Sequence, residues 1–589
     1  MRVPAQLLLS FPGLLDLASA TGPESNECKA YPGTPNWPSS HAWASLNKSL
    51  GGRLISPSPP GAVCHPGQAT YNETQCAEVI KGWSTYDWHT NSPVSVMWDQ
   101  YTNDTCLPDP RAPCSPQGYP AYVVNASTPE HVKAGVDFAR RHNVRLVVKS
   151  TGHDYLGRSI APGALSIWAH YLNNIEYHTG LFKLNGSGKT ITGDAVTVGG
   201  GTEMYDIYSA TDKHNHTIVG GGGKTVGISG YISGGGHSIL APRFGLAADQ
   251  VLEMQVVTPR GEILTVNEDR HADLFWALRG GGGSTFGVIT SITLKTHPSP
   301  NIFAINWMAF IQPNSTNYSN IITYLVSQVP SLMDAGLSGY SFVGYQVPKP
   351  VPIPGLPDTI NGMFGHAILQ DADSEDAVDQ ILKPLNETLK KKWPGEVGLY
   401  NSVVPYKSFL AWFDDYYDQQ TAGNSSYLVS RLLDKKTLTT TSPELTSALM
   451  APIPYTNSYA VFMVGGKGVN DAKPRGGGNA VHPAWRNAYV HAITMAGFPH
   501  FNTTARLEAI ETLQRAFQPL RDLTPESGSY INEALPFEKN FQQTFWGSNY
   551  ERLFELKRKV DPTDVFWCLP CVGNERWQEG EDGKLCKMK

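Results

Sequence analysis

Eight cysteines divide five against three along this chain. Cys28, Cys64, Cys76, Cys106 and Cys114 lie near the N-terminus, and Cys568, Cys571 and Cys586 near the C-terminus, with none between. In an oxidising compartment an even set of cysteines pairs off. Both groups are odd, so complete pairing requires at least one bridge between the two ends, and the fold must bring its termini together. A zinc reading of Cys568-x-x-Cys571 lacks a partner, because no second CxxC or HxxxH accompanies it; no metal is expected.

Two other features suit an oxidising compartment. Residues 1–20 read as a signal peptide: Met1-Arg2, an apolar stretch from Leu7 to Leu17 broken by Pro12 and Asp16, then the small-x-small site Ala18-Ser19-Ala20. Eleven Asn-x-Ser/Thr sequons follow, at Asn47, Asn72, Asn103, Asn125, Asn185, Asn215, Asn314, Asn317, Asn386, Asn424 and Asn502. A secreted, N-glycosylated protein is the expectation. No other segment holds ~18 uninterrupted apolar residues, so no membrane partner is expected. The 46 basic and 52 acidic residues form no basic run, which argues against nucleic acid. A monomer is expected.

At roughly 100–200 residues per domain, 589 residues make several domains. Residues 21–115 are rich in Pro, Trp and Cys and read as a disulfide-stapled wrapping segment. Over 116–298, strand-like runs (Ala121–Val124, Leu146–Lys149, Leu252–Thr258, Gly287–Leu294) alternate with a helical run at Pro129–Arg141 and with glycine clusters, an α+β pattern. Residues 299–525, with Pro-rich links at Pro348–Pro357 and helices at Ser374–Lys383 and Thr504–Leu523, read as a second domain or cap. In 526–589 a strand at Tyr530–Asn532 is expected, then a helix carrying Tyr550, Leu553, Phe554 and Val560, stopped by Pro562.

Three segments carry chemistry. In Lys149-Ser-Thr-Gly-His153-Asp-Tyr-Leu-Gly-Arg-Ser159 a β-run ends in small polar residues whose backbone N–H groups can approach an anion closely. In Val219–His237, nine glycines lie between Gly220 and Gly236. Gly223-Lys224-Thr225 is not a phosphate-binding Walker loop, because the required earlier glycine is Ile218. Val226, Ile228 and Ile232 interleave with the glycines as a buried ribbon would, pressed against a long, flat, phosphate-bearing ligand. Neither stretch is a Rossmann fingerprint. Asp273–Thr290 reads as a short helix (Leu274, Phe275, Leu278), four glycines and a β-branched strand.

Taken in order, Lys-Ser-Thr-Gly-His153, the Thr-Val-Gly…Ile-Ser-Gly-Gly-Gly run with Phe244–Asp249, and Leu-Phe-Trp-Ala-Leu-Arg-Gly-Gly-Gly-Gly resemble the FAD domain of the vanillyl-alcohol oxidase superfamily. Tyr530-Ile-Asn532…Phe-Trp-Gly-Ser-Asn-Tyr-Glu-Arg-Leu…Asp-Pro…Phe566 resembles the closing element of its berberine-bridge-enzyme branch. The resemblance implies a two-part FAD-binding domain over 116–298, an α/β substrate cap, and a C-terminal element returning to the FAD domain. It implies FAD linked through His153, held by Ser150, Thr151, Gly152, Asp154, Gly157, Arg158, Ser159, Thr225, Val226, Gly227, Tyr231, Ser233, Gly234, Gly236, Ile289 and Asn532. Tyr155 would face the substrate, and Tyr530, with Asn532, is the candidate base or orienter. A phenol with pKa ≈ 10 needs a neighbouring charge to lower it before it can act as a base near neutrality.

Two departures from the family pattern matter. Gly223 stands where bicovalent members carry a cysteine, so a single link through His153 is expected. Tyr231 replaces a histidine that many relatives use to contact the flavin ribityl chain. Val226 sits where valine accompanies oxygen use in this branch. The resulting expectation is a secreted FAD oxidase that takes hydride from an alcohol-type, sugar or secondary-metabolite substrate and returns electrons to O2 as H2O2. The alternatives are a biosynthetic FAD enzyme of ring closure or dehydrogenation, and a non-catalytic carbohydrate-binding glycoprotein.

Overall fold

The computed structural model describes residues 27–349, 357–580 and 582–588. The expected signal peptide and part of the Pro348–Pro357 link lie outside them. Cys28 pairs with Cys586, joining the two ends of the chain, while Cys64–Cys76, Cys106–Cys114 and Cys568–Cys571 close short loops.

Three sheets organise the described residues. A small one orders Leu54–Ile55, Tyr122–Asn125, Leu165–Trp168 and Leu146–Lys149, the last three strands parallel. The helix Pro129–His142 between two of these strands begins where the Thr128 hydroxyl accepts from the His131 N–H, with Pro129 in the first turn. It ends at Asn143, which takes a left-handed conformation. A five-stranded antiparallel sheet (Ile263–Asn267, Val251–Val257, Val288–Lys295, Ala195–Gly199, Ile175–His178) forms the second part.

The third sheet has seven antiparallel strands between Ile302 and Gly497. Helices Tyr318–Asp334, Asp376–Lys392 and Thr503–Leu523 pack against it. Its strands show the period-two division of a sheet with two different neighbours. On Ser458–Met463, Val461 and Met463 enter the helix-side core, while Ala460 and Phe462 face a cavity shared with the other two sheets.

Two local expectations change. Ile228–Gly234 is a short α-helix, not a ribbon: Ile228 and Ile232, four residues apart, share one buried face. Tyr530–Asn532 is not a strand. Its neighbourhood is satisfied by a turn (Glu533 N–H to Tyr530 C=O) and by isolated bonds to Ser430, Leu432 and Thr544, so no ladder forms. The helix Tyr550–Val560 follows as expected, and Lys557 ties it back. Its buried ammonium donates to the Thr285 and Phe566 carbonyls and pairs with Asp561 at 2.7 Å.

Candidate active site

The cavity between the sheets has a volume of about 520 Å3. That lies within the ~300–1,000 Å3 of ordinary ligand pockets, so the cavity is of ligand-binding size. One wall is the loop after strand Leu146–Lys149. Lys149 anchors that loop from behind: its buried ammonium donates to the carbonyls of His89, Thr90 and Ser92 at 3.2, 3.4 and 2.8 Å. Burial lowers it to about 7. Gly152 must be glycine, since its φ is +94° and a Cβ would stand 3.2 Å from both the Lys149 side chain and the Ser95 carbonyl.

His153 lies on this wall. The Thr225 hydroxyl is 2.6 Å from its Nε2. Burial, with the charges of His89 and Lys149, lowers the imidazole to about 3, so it is neutral at ordinary pH. The buried Ser150 and Ser159 hydroxyls and Arg158 Nη1, all on cavity-lining residues, have no partner within the chain. Unpaired buried donors are costly, and these three are of the kind that could donate to phosphate oxygens. The donor set therefore fits FAD.

Of the residues expected from sequence, Ser150, Thr151, Gly152, His153, Asp154, Tyr155, Arg158, Ser159, Val226, Gly227, Tyr231, Ser233, Ile289, Tyr530 and Asn532 line the cavity. Gly157, Thr225, Gly234 and Gly236 stand behind its surface. Gly157 packs on the Tyr101 ring, Gly234 on Asn532, and Gly236 on Tyr231 and Ala247. The Tyr231 hydroxyl donates to the His237 carbonyl at 2.6 Å, so it is already used within its own loop.

Asn532 joins the C-terminal element to both glycine-rich segments. Its amide donates to the Gly230 and Tyr231 carbonyls and to the Tyr530 oxygen (3.1, 3.3 and 2.9 Å), and its Oδ1 accepts from Arg158 at 3.1 Å. Arg158 is in turn paired with Asp154 at 2.7 Å. Asn532 and Arg158 act to lower the Tyr530 phenol but are outweighed. Burial and the nearby Glu533 charge push the phenol well above its ordinary value.

The family description "FAD binding domain" matches residues 120–267, and "Berberine and berberine like" matches 529–570. The VAO-type flavoprotein oxidase VAO615 of Thermothelomyces thermophilus is 34% identical, covering 99% of this chain and 100% of that protein. The bifunctional decalin synthase calF of Penicillium decumbens is 33% identical, covering 99% of each. The chain belongs to the VAO-type FAD-linked oxidoreductases. The crystal structure of MtVAO713 from Myceliophthora thermophila superposes with a TM-score of 0.87 at 30% identity, covering 95% of this chain and all of that one.

As a VAO-type oxidoreductase the protein takes FAD and acts on a small molecule. Sequence reasoning missed the substrate side of the cavity. There the cap contributes Tyr340, Phe462, Trp412, Phe413, Tyr416 and Tyr417, and a buried trio is formed by His237, His491 and Glu533. His237 closes the glycine run and Glu533 follows Tyr-Ile-Asn directly, so both stood inside recognised segments. His491, on a cap strand, gave no local signal.

Proposed function

We propose that this protein is a secreted oxidase whose FAD is attached singly through His153 and whose substrate is an alcohol-type small molecule with an apolar, aromatic-compatible body. The observation that carries the reading is the state of His153. The Thr225 hydroxyl engages Nε2 and fixes the ring, Nδ1 has no hydrogen-bond partner among the described residues, and burial keeps the imidazole neutral. That is the form a nucleophilic imidazole must have to bond a flavin methyl carbon. Gly223, on the cavity wall, offers no thiol for a second link.

A flavin held here would supply the hydride acceptor and the route of electrons to O2. The chain's own part is to hold and orient. Ser150, Ser159 and Arg158 hold phosphate; Asn532 fixes Arg158 and Tyr530 relative to one another; the cap aromatics exclude water and favour a flat apolar substrate. Tyr530 accepts from Asn532 and stays protonated, so its O–H can donate to a substrate oxygen. The four disulfides suit an oxidising compartment, and none of the eleven sequon asparagines is fully buried, which supports secretion and N-glycosylation.

The reading is tested by acid precipitation of the purified protein. Yellow flavin should stay with the wild-type polypeptide and leave with the supernatant in His153→Ala. A peroxide-coupled screen of benzylic, aliphatic and sugar alcohols should favour the benzylic ones. Acid-stable flavin unchanged in His153→Ala refutes the linkage. The aromatic cap wall also favours a second reading, a biosynthetic oxidation of a polycyclic metabolite. Detection in the cell lysate and not the secreted fraction would select it.

A further inference from the structure

We infer that Glu533 is the catalytic group that accepts the substrate's hydroxyl proton, and that His237 and His491 are positioning residues that hold its carboxylate. The inference rests on the oxidase reading above and names the proton acceptor that reading leaves open.

Three distant parts of the chain meet here: the end of the glycine run, a cap strand and the C-terminal element. His237 Nε2 lies 3.1 Å from both Glu533 oxygens, and His491 Nε2 lies 2.9 Å from Oε2. Both Nδ1 atoms are buried and unpartnered. A carboxylate only accepts, so each Nε2 carries a proton and donates. The same three residues could surround a divalent cation. Metal-bound histidines, however, anchor their other ring N–H on an acceptor, and neither Nδ1 has one here.

Glu533 is the trio's open side. The His237 and His491 side chains are 8% and 0% exposed, whereas that of Glu533 is 23% exposed and lines the cavity. Burial alone would push its carboxyl up; the electrostatic attraction of His237, with the hydrogen bonds from His237 and His491, outweighs burial and holds it well below the usual range. It is therefore an anion facing the substrate space. Tyr530 is the weaker acceptor: burial and the Glu533 charge push its phenol well above its ordinary value, so it stays protonated.

The proton balance is simple. As the C–H hydride departs with its electron pair to the flavin, the O–H bond breaks. Its pair remains to complete the C=O, and the proton passes to a Glu533 oxygen. An O–H losing hydride from its carbon becomes a protonated carbonyl, a far stronger acid than a carboxylic acid, so even a carboxylate held low receives the proton downhill.

The test uses the full-length flavinylated protein, wild type beside Glu533→Gln, Glu533→Asp and Tyr530→Phe. Acid-stable flavin and melting temperature serve as folding controls. Benzyl alcohol and benzoate are titrated against the flavin absorbance. The wild type should bind benzoate at least about 10-fold more weakly than benzyl alcohol, and Glu533→Gln should erase that preference; a purely structural role would weaken both ligands alike. Reduction by 4-methoxybenzyl alcohol under anaerobic conditions should slow by roughly 10²–10⁴-fold in Glu533→Gln, recover in part in Glu533→Asp, and fall less than about 10-fold in Tyr530→Phe. An unchanged ligand preference or an unchanged rate in folded Glu533→Gln overturns the inference. So does one equivalent of tightly held metal that is lost in His491→Ala. A wild type reduced by no alcohol overturns the oxidase reading instead, and the benzoate contrast still decides whether Glu533 faces the ligand as an anion.

Discussion

Thr225→Val separates the placement of His153 from its presence. The exchange keeps shape and volume and removes one hydroxyl, which stands 2.6 Å from His153 Nε2 in a residue only 5% exposed. The imidazole Nε2 is then left without its partner in a buried site, a loss of about 1–3 kcal/mol. That is enough to reduce the population of the ring orientation that the Thr225 hydroxyl holds by roughly 5- to 150-fold. Attachment of FAD should slow by the same factor while non-covalent binding, carried by Ser150, Ser159 and Arg158, is little changed. The assay follows acid-stable flavin over time in apoprotein supplied with FAD, for wild type, Thr225→Ser and Thr225→Val. Thr225→Ser should stay near wild type. Because the imidazole is lowered to about 3, the wild-type rate should carry no His153 titration between pH 5 and 8. Attachment at the wild-type rate in Thr225→Val, or a rate falling tenfold per unit below pH 6, would refute the reasoning.

Gly234→Ala should release FAD and lower stability by about 1–3 kcal/mol. Its Cβ would stand 2.3–2.4 Å from the Asn532 amide atoms, which four hydrogen bonds hold in place; calorimetry and flavin retention check this, and an unperturbed protein would show that Asn532 moves freely. Glu203→Gln should alter the pH dependence of unfolding. Burial raises the Glu203 carboxyl to about 7 from 4.5, so between those values the folded state binds the extra proton and stability falls as pH rises, by up to ~1.4 kcal/mol per unit. Denaturant titrations from pH 4.5 to 7 should lose that share of the slope in the variant, and an identical slope would contradict the shift.

Local signals carried the covalent frame and the cofactor wall. Cysteine parity required a bridge between the two ends, because pairing is a counting constraint, and Cys28–Cys586 supplies it. The helix Pro129–His142 was legible because its cap and proline act within one turn. The loop from Ser150 to Ser159 was legible because glycine and small polar residues after a strand restrict what the backbone can do. Ile228–Gly234 was misread because isoleucines four apart among glycines suit either a ribbon or a helix until packing selects a face.

Composition, spacing and turn chemistry in the sequence itself pointed to ends that meet, to glycine-rich segments lining a cavity, and to His153 on its wall. Only the tertiary structure decided that Thr225 meets His153 across 72 positions, and that His237, His491 and Glu533 share one carboxylate. The reason is physical. Helix caps and turns are short-range and recur at fixed spacing, whereas a buried charge is assembled by whichever distant elements close around it, and its energetics exist only once water has been excluded.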